Sequence, residues 1–251
     1  MILAHISDIH AGPQFKKEAF KRAATEINEL RPDAVLATGD FTENGLLSEF
    51  TTASQYLRKI QCRRKIFVSG NHDYRSTGYL LFKRFFPSEA VTEVGDAVVI
   101  TLSTARPDRD DGEVGHRQNL WLEETLRKHR GRMKIVALHH HVVPVPDTGR
   151  DDITITDAGD VLRSLVRGGV DLVLCGHRHR PWIWRVENLT VVNAGTVSSE
   201  RTRGFFSNSY NIIEITGRKI DARLKVVGGT TIPLTDVVKK DLLGLPGTTE
   251  R

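Results

Sequence analysis

Short apolar runs alternate with stretches of helical spacing along most of the chain. Residues 2–7 read as a buried strand that ends at Ser7-Asp8. Phe20, Ala23, Ala24, Ile27 and Leu30 recur at the three- and four-residue intervals of one helix face, and Arg31-Pro32 ends that helix. A second strand, 34–37, runs into Thr38-Gly39-Asp40. Asn44-Gly45 then opens a helix with Leu46, Phe50, Ala53, Leu57 and Ile60 on one side, and Asn44 is its expected cap. A third strand, 65–68, runs into Ser69-Gly70-Asn71-His72-Asp73. The pattern repeats as strand 97–102, helix 118–128, strand 135–138, a helix marked by Ala158, Val161, Leu162 and Leu165, and strand 171–174. From Trp182 the helical period stops, and 182–186, 190–193, 210–215 and 220–227 read as successive strands.

Alternating strands and helices predict a layered α/β domain. The late strands without helices predict either a sheet that is not purely parallel or a second sheet packed on the first. No Gly-, Ser- and Pro-rich stretch divides the 251 residues, so one domain is expected over 1–238, with 239–251 a loosely held tail. The loops 104–115 and 143–152 are polar and long enough to serve function.

Composition narrows the classes. With 39% hydrophobic and 27% charged residues the chain is not generally disordered. No apolar run has the length of a transmembrane helix, so no membrane partner is expected. The start MILAHISDIH lacks a basic segment and a small-residue cleavage site, so no secretory signal is expected and the chain should begin at Met1. Cys62 and Cys175 make no disulfide framework and read as free thiols of a reducing, cytoplasmic compartment. A net charge of +5, spread over small basic clusters, is mild and compatible with an anionic substrate.

The ten histidines carry more information, because several stand at strand ends beside carboxylates. Asp8 with His10, Asp40, Asn71 with His72, His139 with its neighbours, and His177 with His179 each follow a hydrophobic strand. In α/β sheets ligands bind outside the strand carboxyl ends, so these groups should converge. Imidazole with carboxylate suits Fe, Mn, Zn, Co or Ni better than Ca or Mg. Asp8, His10, Asp40, Asn71, His139, His177 and His179 are too many donors for one ion and suit two ions about 3.5–4 Å apart. Asp40, after a glycine, is a natural bridge, and Asn71 is a neutral oxygen donor.

In order and spacing, Asp8-Ile9-His10, Gly39-Asp40, Gly70-Asn71-His72-Asp73, the histidine after strand 135–138 and Gly176-His177-Arg178-His179 resemble the motif series of the calcineurin-like metallophosphoesterases, over roughly residues 1–200. The resemblance implies a four-layer αββα sandwich with two mixed β-sheets and a dimetal site at the strand carboxyl ends. It implies one metal on Asp8, His10, Asp40 and His179, and another on Asp40, Asn71, His139 and His177, with Mn or Fe favoured and Zn, Co or Ni also compatible. A hydroxide bridging the ions would be the nucleophile, His72 would contact the phosphate and serve the leaving oxygen, and Asp73 would orient His72.

Gly112-Glu113-Val114-Gly115, Gln118, Trp121-Leu122-Glu123, Leu126 and Val192-Asn193-Ala194-Gly195-Thr196 are similar to small prokaryotic members related to class III cyclic-nucleotide phosphodiesterases. One departure is His139-His140-His141-Val142-Val143-Pro144, where a His-His-Pro-Pro type segment is usual. The strand end favours His139 as ligand, with His140 second. The expected substrate is a phosphodiester, with cyclic nucleotides leading. A nuclease acting on DNA or RNA, a phosphomonoesterase and a metal-binding interaction scaffold are the rivals, and a dimer is compatible with the sequence.

Other residues read more plainly. His5 should be a satisfied strand residue, and Thr42, Glu43 and Asn44 should serve a helix start, with one of them able to face substrate. Trp182 and Trp184 should pack between sheets. Arg201 and Arg203 lie in a polar loop that reads equally as a phosphate contact or as plain surface.

Overall fold

The computed structural model describes residues 1–87, 89–149 and 155–242. Two mixed six-stranded sheets pack face to face, each covered on its outer side by helices. The first has the order β12-β11-β10-β1-β2-β3, with β1 Ile2–Ile6, β2 Ala34–Thr38, β3 Lys65–Val68, β10 Ser209–Thr216, β11 Lys219–Val226 and β12 Thr231–Pro233. The second has the order β4-β5-β6-β7-β9-β8, with β4 Val91–Val94, β5 Ala97–Thr101, β6 Met133–Ala137, β7 Leu172–Cys175, β8 Trp182–Val186 and β9 Leu189–Asn193.

The strand period of two builds the layers. Leu3, Leu36 and Val68 point to the inter-sheet core, where they meet Val99, Ile135, Leu174 and Trp182 of the second sheet. Ala4, Ile6, Val35 and Ala37 point the other way, onto Phe20, Ala23 and Ile27 of α1 (Lys17–Leu30) and Phe50 and Ala53 of α2 (Leu47–Leu57). Phe82 of α3 (Gly78–Phe85) closes that layer against Phe41 and Phe86. On the far face Val98, Ile100 and Val136 pack on Leu122 and Leu126 of α4 (His116–Lys128) and Val161 and Leu165 of α5 (Ala158–Arg167). The four-layer sandwich is therefore present. Trp182 is fully buried between the sheets, and Trp184 packs beside it and donates to the Pro144 carbonyl at 2.8 Å.

Two local expectations change. The second helix starts at Leu47 rather than at Asn44. Gly45 takes a left-handed φ of 68°, which breaks the helix there, and Glu49 reaches back to accept the N–H of Asn44 at 2.7 Å and of Leu46 at 3.3 Å, so a helix residue does the capping. The tail expected from Lys239 begins inside α6 (Leu234–Leu242), whose Leu234, Val237 and Val238 join the inter-sheet core. The rest of that tail, 243–251, lies outside the described residues, as do residues 150–152 of the second functional loop. No helix of the described residues is long and apolar enough to cross a membrane.

Parallel register fixes the site's position. β1, β2 and β3 are parallel neighbours, so Ile6, Thr38 and Val68 end at one edge. β5, β6, β7 and β9 do the same in the second sheet. The loops leaving these ends continue the pairing: Asp8 N–H donates to Gly39 O at 3.0 Å, His10 N–H to Asp40 O at 2.9 Å, and Gly176 N–H to His139 O at 2.9 Å.

Candidate metal centre

The loop after β1 carries Asp8 and His10, and both are fully buried. The loop after β2 carries Asp40, the loop after β3 carries Asn71 and His72, that after β6 carries His139, and that after β7 carries His177 and His179. Asp8, His10, Asp40, His177 and His179 all adopt positive φ, between 49° and 75°. That conformation is costly for residues with a Cβ and turns each side chain inward from a strand that has just ended. Two glycines make the convergence sterically feasible. A Cβ at Gly39 (φ 93°) would stand 2.4 Å from His139 Nδ1, and one at Gly70 would stand 2.0 Å from Asp40 Oδ1.

The donors form two lobes. In one, His179 Nε2 lies 3.2 Å from Asp8 Oδ1 and 2.9 Å from His10 Nε2. In the other, Asn71 Oδ1 lies 3.1 Å from His139 Nε2 and 3.0 Å from His177 Nδ1. Asp40 Oδ2 stands between them, 3.8 Å from His10 Nε2 and 3.3 Å from His139 Nε2. The other oxygen of Asp40 accepts the backbone N–H of His72 at 2.9 Å.

Contacts behind the rings set which nitrogen faces inward. His139 Nδ1 bonds the Thr38 carbonyl at 2.6 Å, a link between the two sheets. His179 Nδ1 bonds the Arg201 carbonyl. His72 Nδ1 bonds the Glu43 carbonyl at 2.7 Å. Each of these ring nitrogens carries the proton, because a carbonyl only accepts, so each Nε2 is left for the interior. Crowded imidazole lone pairs and two buried carboxylates, with few donors among them, make a cation-binding set in their chemistry.

Electrostatics agree. Burial works against ionising Asp40, yet the charge of His139 and its neighbours outweighs it and holds the carboxyl well below the usual range. Asp8 is lowered in the same way, mainly by His179 against its burial. His139 rises to about 9: burial works downward, and Asp40 overcomes it. His179 is raised by Asp8 against burial, while burial pushes His10 and His177 down.

The histidines after β6 differ in their contacts. His140 is buried, but its Nδ1 meets Thr104 Oγ1 at 2.8 Å and its Nε2 the Asp110 carbonyl at 3.1 Å. Both of its ring nitrogens have these partners, and one of them lies within 4.8 Å of donor atoms of His139 and His177, at the edge of the second lobe. His141 stacks beside the His177 ring, with centroids 6.0 Å apart.

Asp73 requires a correction, because its carboxylate makes no bond to the His72 ring. Oδ1 accepts the Thr42 N–H at 2.9 Å and the Thr42 hydroxyl at 3.0 Å, and Oδ2 accepts the Gly70 N–H at 2.9 Å. The short 3-10 turn His72–Tyr74 points this side chain back under the loops, and burial beside Asp40 raises its pKa to about 7. Asp73 ties the loop that carries Asp40 to the loop that carries Asn71. The residue behind His72 is Glu43, which also places Oε2 2.8 Å from His10 Nδ1 and Oε1 3.0 Å from Arg201. Burial works against its ionisation, but contact with His10 dominates and the pKa falls to about 2. Only its position three residues after Asp40 hinted at this in the sequence.

The centre opens into a cleft of about 500 Å³ lined by Asp40, Asn71, His72, His177 and His179 on the floor and by arginines on the wall. Residues 1–181 match the model of the family described as "Calcineurin-like phosphoesterase". A "Probable cyclic nucleotide phosphodiesterase" of Synechococcus sp. (strain WH7803) is 29% identical over 65% of this chain and 65% of its own length. A "cAMP/cGMP dual specificity phosphodiesterase" of Mycobacterium tuberculosis is 27% identical over 71% of this chain and 61% of its own. The chain therefore spans slightly less than two thirds of the length of these relatives. Among solved structures, a "dimetal phosphatase from Danio rerio" superposes with a TM-score of 0.71 at 14% identity, covering 93% of this chain and 99% of that one, a likeness of fold. With the family model spanning most of its length and the sandwich in place, the chain belongs to the calcineurin-like phosphoesterase family.

Proposed function

We propose that this chain is a dimetal-dependent phosphoesterase that favours phosphodiesters, with cyclic nucleotides the leading substrates. The observation that carries the reading is Asp40 Oδ2, which stands within 3.8 Å of a donor in one lobe and 3.3 Å of a donor in the other. Asp8, His10, Asp40 and His179 would hold one ion, and Asp40, Asn71, His139 and His177 the other. Mn or Fe suits this nitrogen-rich set, and Zn, Co or Ni is compatible with it. Such a pair supplies Lewis acidity and neutralises a phosphoryl group.

The protein's own groups do the rest. Asp40 presents one oxygen to both lobes while the His72 N–H holds the other. His72 keeps Nδ1–H on the Glu43 carbonyl, which aims Nε2 into the cleft; as the imidazolium, with Nε2 also protonated, it would pass the Nε2 proton to the leaving oxygen and regain one from solvent. The wall arginines draw anions into the cleft. The two free thiols, Cys175 buried and Cys62 half-buried, support a cytoplasmic setting. The names of the phosphodiesterase relatives favour cyclic nucleotides over nucleic acid or monoesters.

The test is hydrolysis by protein stripped of metal and restored with Mn²⁺, on a chromogenic diester, its monoester, 3′,5′- and 2′,3′-cyclic nucleotides and single-stranded DNA. Wild type should turn over the diester only with metal. His72→Ala should lower kcat by about 10²–10⁴-fold with its metal content intact, whereas Asn71→Ala should lower metal content as well. Absence of turnover on every ester with Mn²⁺, Fe²⁺, Zn²⁺, Co²⁺ or Ni²⁺ would sink the reading.

A further inference from the structure

Beyond the metal-facing groups, the described wall of the cleft carries Arg75, Arg178, Arg201 and Arg203 against Asp110 and Asp147. Apart from Gly204, every described lining residue has a polar or charged side chain. At about 500 Å³ the cleft has the size of a small-molecule site and exceeds what one phosphoryl group fills. The arginines differ in how they are neutralised. Arg75 pairs with Asp110 at 3.0 Å, and Arg201 with Glu43 at 3.0 Å. Arg203 donates to a neutral acceptor, the Thr148 carbonyl, at 3.2 Å.

The segment that presents Arg201 and Arg203 is stitched down. Glu200 N–H bonds Gln14 O at 3.0 Å, Thr202 N–H bonds Glu200 O at 2.9 Å, and Asn208 Nδ2 bonds Ser199 O at 2.8 Å. The Arg201 carbonyl takes the Nδ1–H of His179, so this wall is tied to the metal centre itself. The pinned backbone thus brings two arginines two residues apart to the wall of one cleft, where burial, and then the charge of Arg201, lower the pKa of Arg203. Fixed like charges facing a cavity are relieved by an anion placed between them.

We infer that the cleft selects phosphodiesters whose second substituent carries an anionic group, a carboxylate or a further phosphate, received by Arg203 with Arg201. The inference rests on the phosphodiesterase reading and narrows it: a simple cyclic nucleotide carries no second anion, so among diesters those with an anionic substituent are placed ahead of it. The scissile phosphate sits on the floor beside His72, and the distal anion sits on the wall. An arginine fork matches a carboxylate or phosphate in two parallel hydrogen bonds, so recognition depends on the shape of the anion as well as its charge.

Two chromogenic diesters test this on the full chain loaded with Mn²⁺: p-nitrophenyl propyl phosphate and p-nitrophenyl 2-carboxyethyl phosphate, which share the scissile bond and differ in the terminal carboxylate. The wild-type kcat/KM should favour the carboxyethyl ester by about tenfold, the size of one charge-assisted contact. Arg203→Gln should bring the ratio near one, Arg203→Glu should invert it, and Arg203→Lys should keep part of it. A wild-type ratio of one or less, with the propyl ester still hydrolysed, overturns the inference and leaves the phosphodiesterase reading standing. A preference that survives Arg203→Gln overturns the assignment to Arg203. Hydrolysis of neither ester overturns the inference, and the phosphodiesterase reading falls with it only if the cyclic nucleotides and the other esters are also untouched with all five metals.

Discussion

Glu43 Oε2 approaches His10 Nδ1 to 2.8 Å at the back of the metal centre. The atoms are not aligned as a hydrogen bond, and neither has another partner, so the contact is chiefly electrostatic. It still favours the tautomer with the proton on Nδ1 and leaves Nε2 for the interior. Replacing the charge should therefore weaken the site without removing a ligand. Glu43→Gln is expected to lower Mn²⁺ affinity by about 10–100-fold, as for other residues that buttress metal-binding histidines. Titration of the stripped protein with Mn²⁺, followed by electron paramagnetic resonance, measures this, and an unchanged affinity would show that Glu43 is a bystander.

What the sequence revealed depended on range. Strand ends were legible because β1, β2, β3, β6 and β7 are short apolar runs that stop abruptly at polar residues. The roles of Glu43 and Asp73 were hidden because each depends on which way a loop turns. Asp73 follows His72 directly, yet the 3-10 turn sends the two side chains apart. Glu43 is 29 residues from His72 and meets its ring through both its carbonyl, at 2.7 Å, and its carboxylate, at 3.6 Å. β4 and α3 were not read either: β4 is four residues long and half exposed, and α3 follows a turn rather than a capping residue.

Asp73 accepts hydrogen bonds from Thr42 and Gly70, which belong to the loops after β2 and β3. Truncation leaves both backbone N–H groups buried without a partner. Asp73→Ala should destabilise the metal-free protein by about 2–6 kcal/mol, at about 1–3 kcal/mol for each unsatisfied group. Urea unfolding in EDTA measures it, and a loss below about 1 kcal/mol would show that water replaces the carboxylate freely.

His5 gives the fold a pH dependence separate from that of the candidate metal-binding residues. It is fully buried between Thr38 Oγ1 at 2.9 Å and Asn211 Nδ2 at 3.3 Å. Burial lowers its pKa from 6.5 to about 3, with Asp8 opposing that shift. Between those values the unfolded chain takes up a proton that the native state does not, so this contribution is present above pH 6.5 and is lost as pH falls toward 3. Each such group steepens the loss by up to about 1.4 kcal/mol per pH unit. His140 and His141, also lowered to about 3 mainly by burial, act in the same direction, so the comparison must isolate His5. His5→Gln should flatten the slope of unfolding free energy between pH 6 and 4.5 by nearly one proton. Parallel slopes for variant and wild type would place the proton uptake elsewhere.

The left-handed backbone of the ligand loops implies a trade of stability for site geometry. His179 has φ 54° and a side chain that is nearly buried. A residue with a Cβ is strained in this region and glycine is not. Losing the imidazole removes the same contacts whether alanine or glycine replaces it, so the difference between those variants reports the backbone alone. In EDTA, His179→Gly should be more stable than His179→Ala by about 1 kcal/mol, despite the greater entropy of glycine in the unfolded chain. The opposite order would mean that the backbone at His179 relaxes once its side chain is gone, and that the imidazole imposes the strained φ. The predicted order would mean that the strain lies in the loop itself, held by the Gly176–His139 backbone bond before it and the Trp182–Asn193 strand pairing after it, so that the imidazole is presented to the centre by the fold.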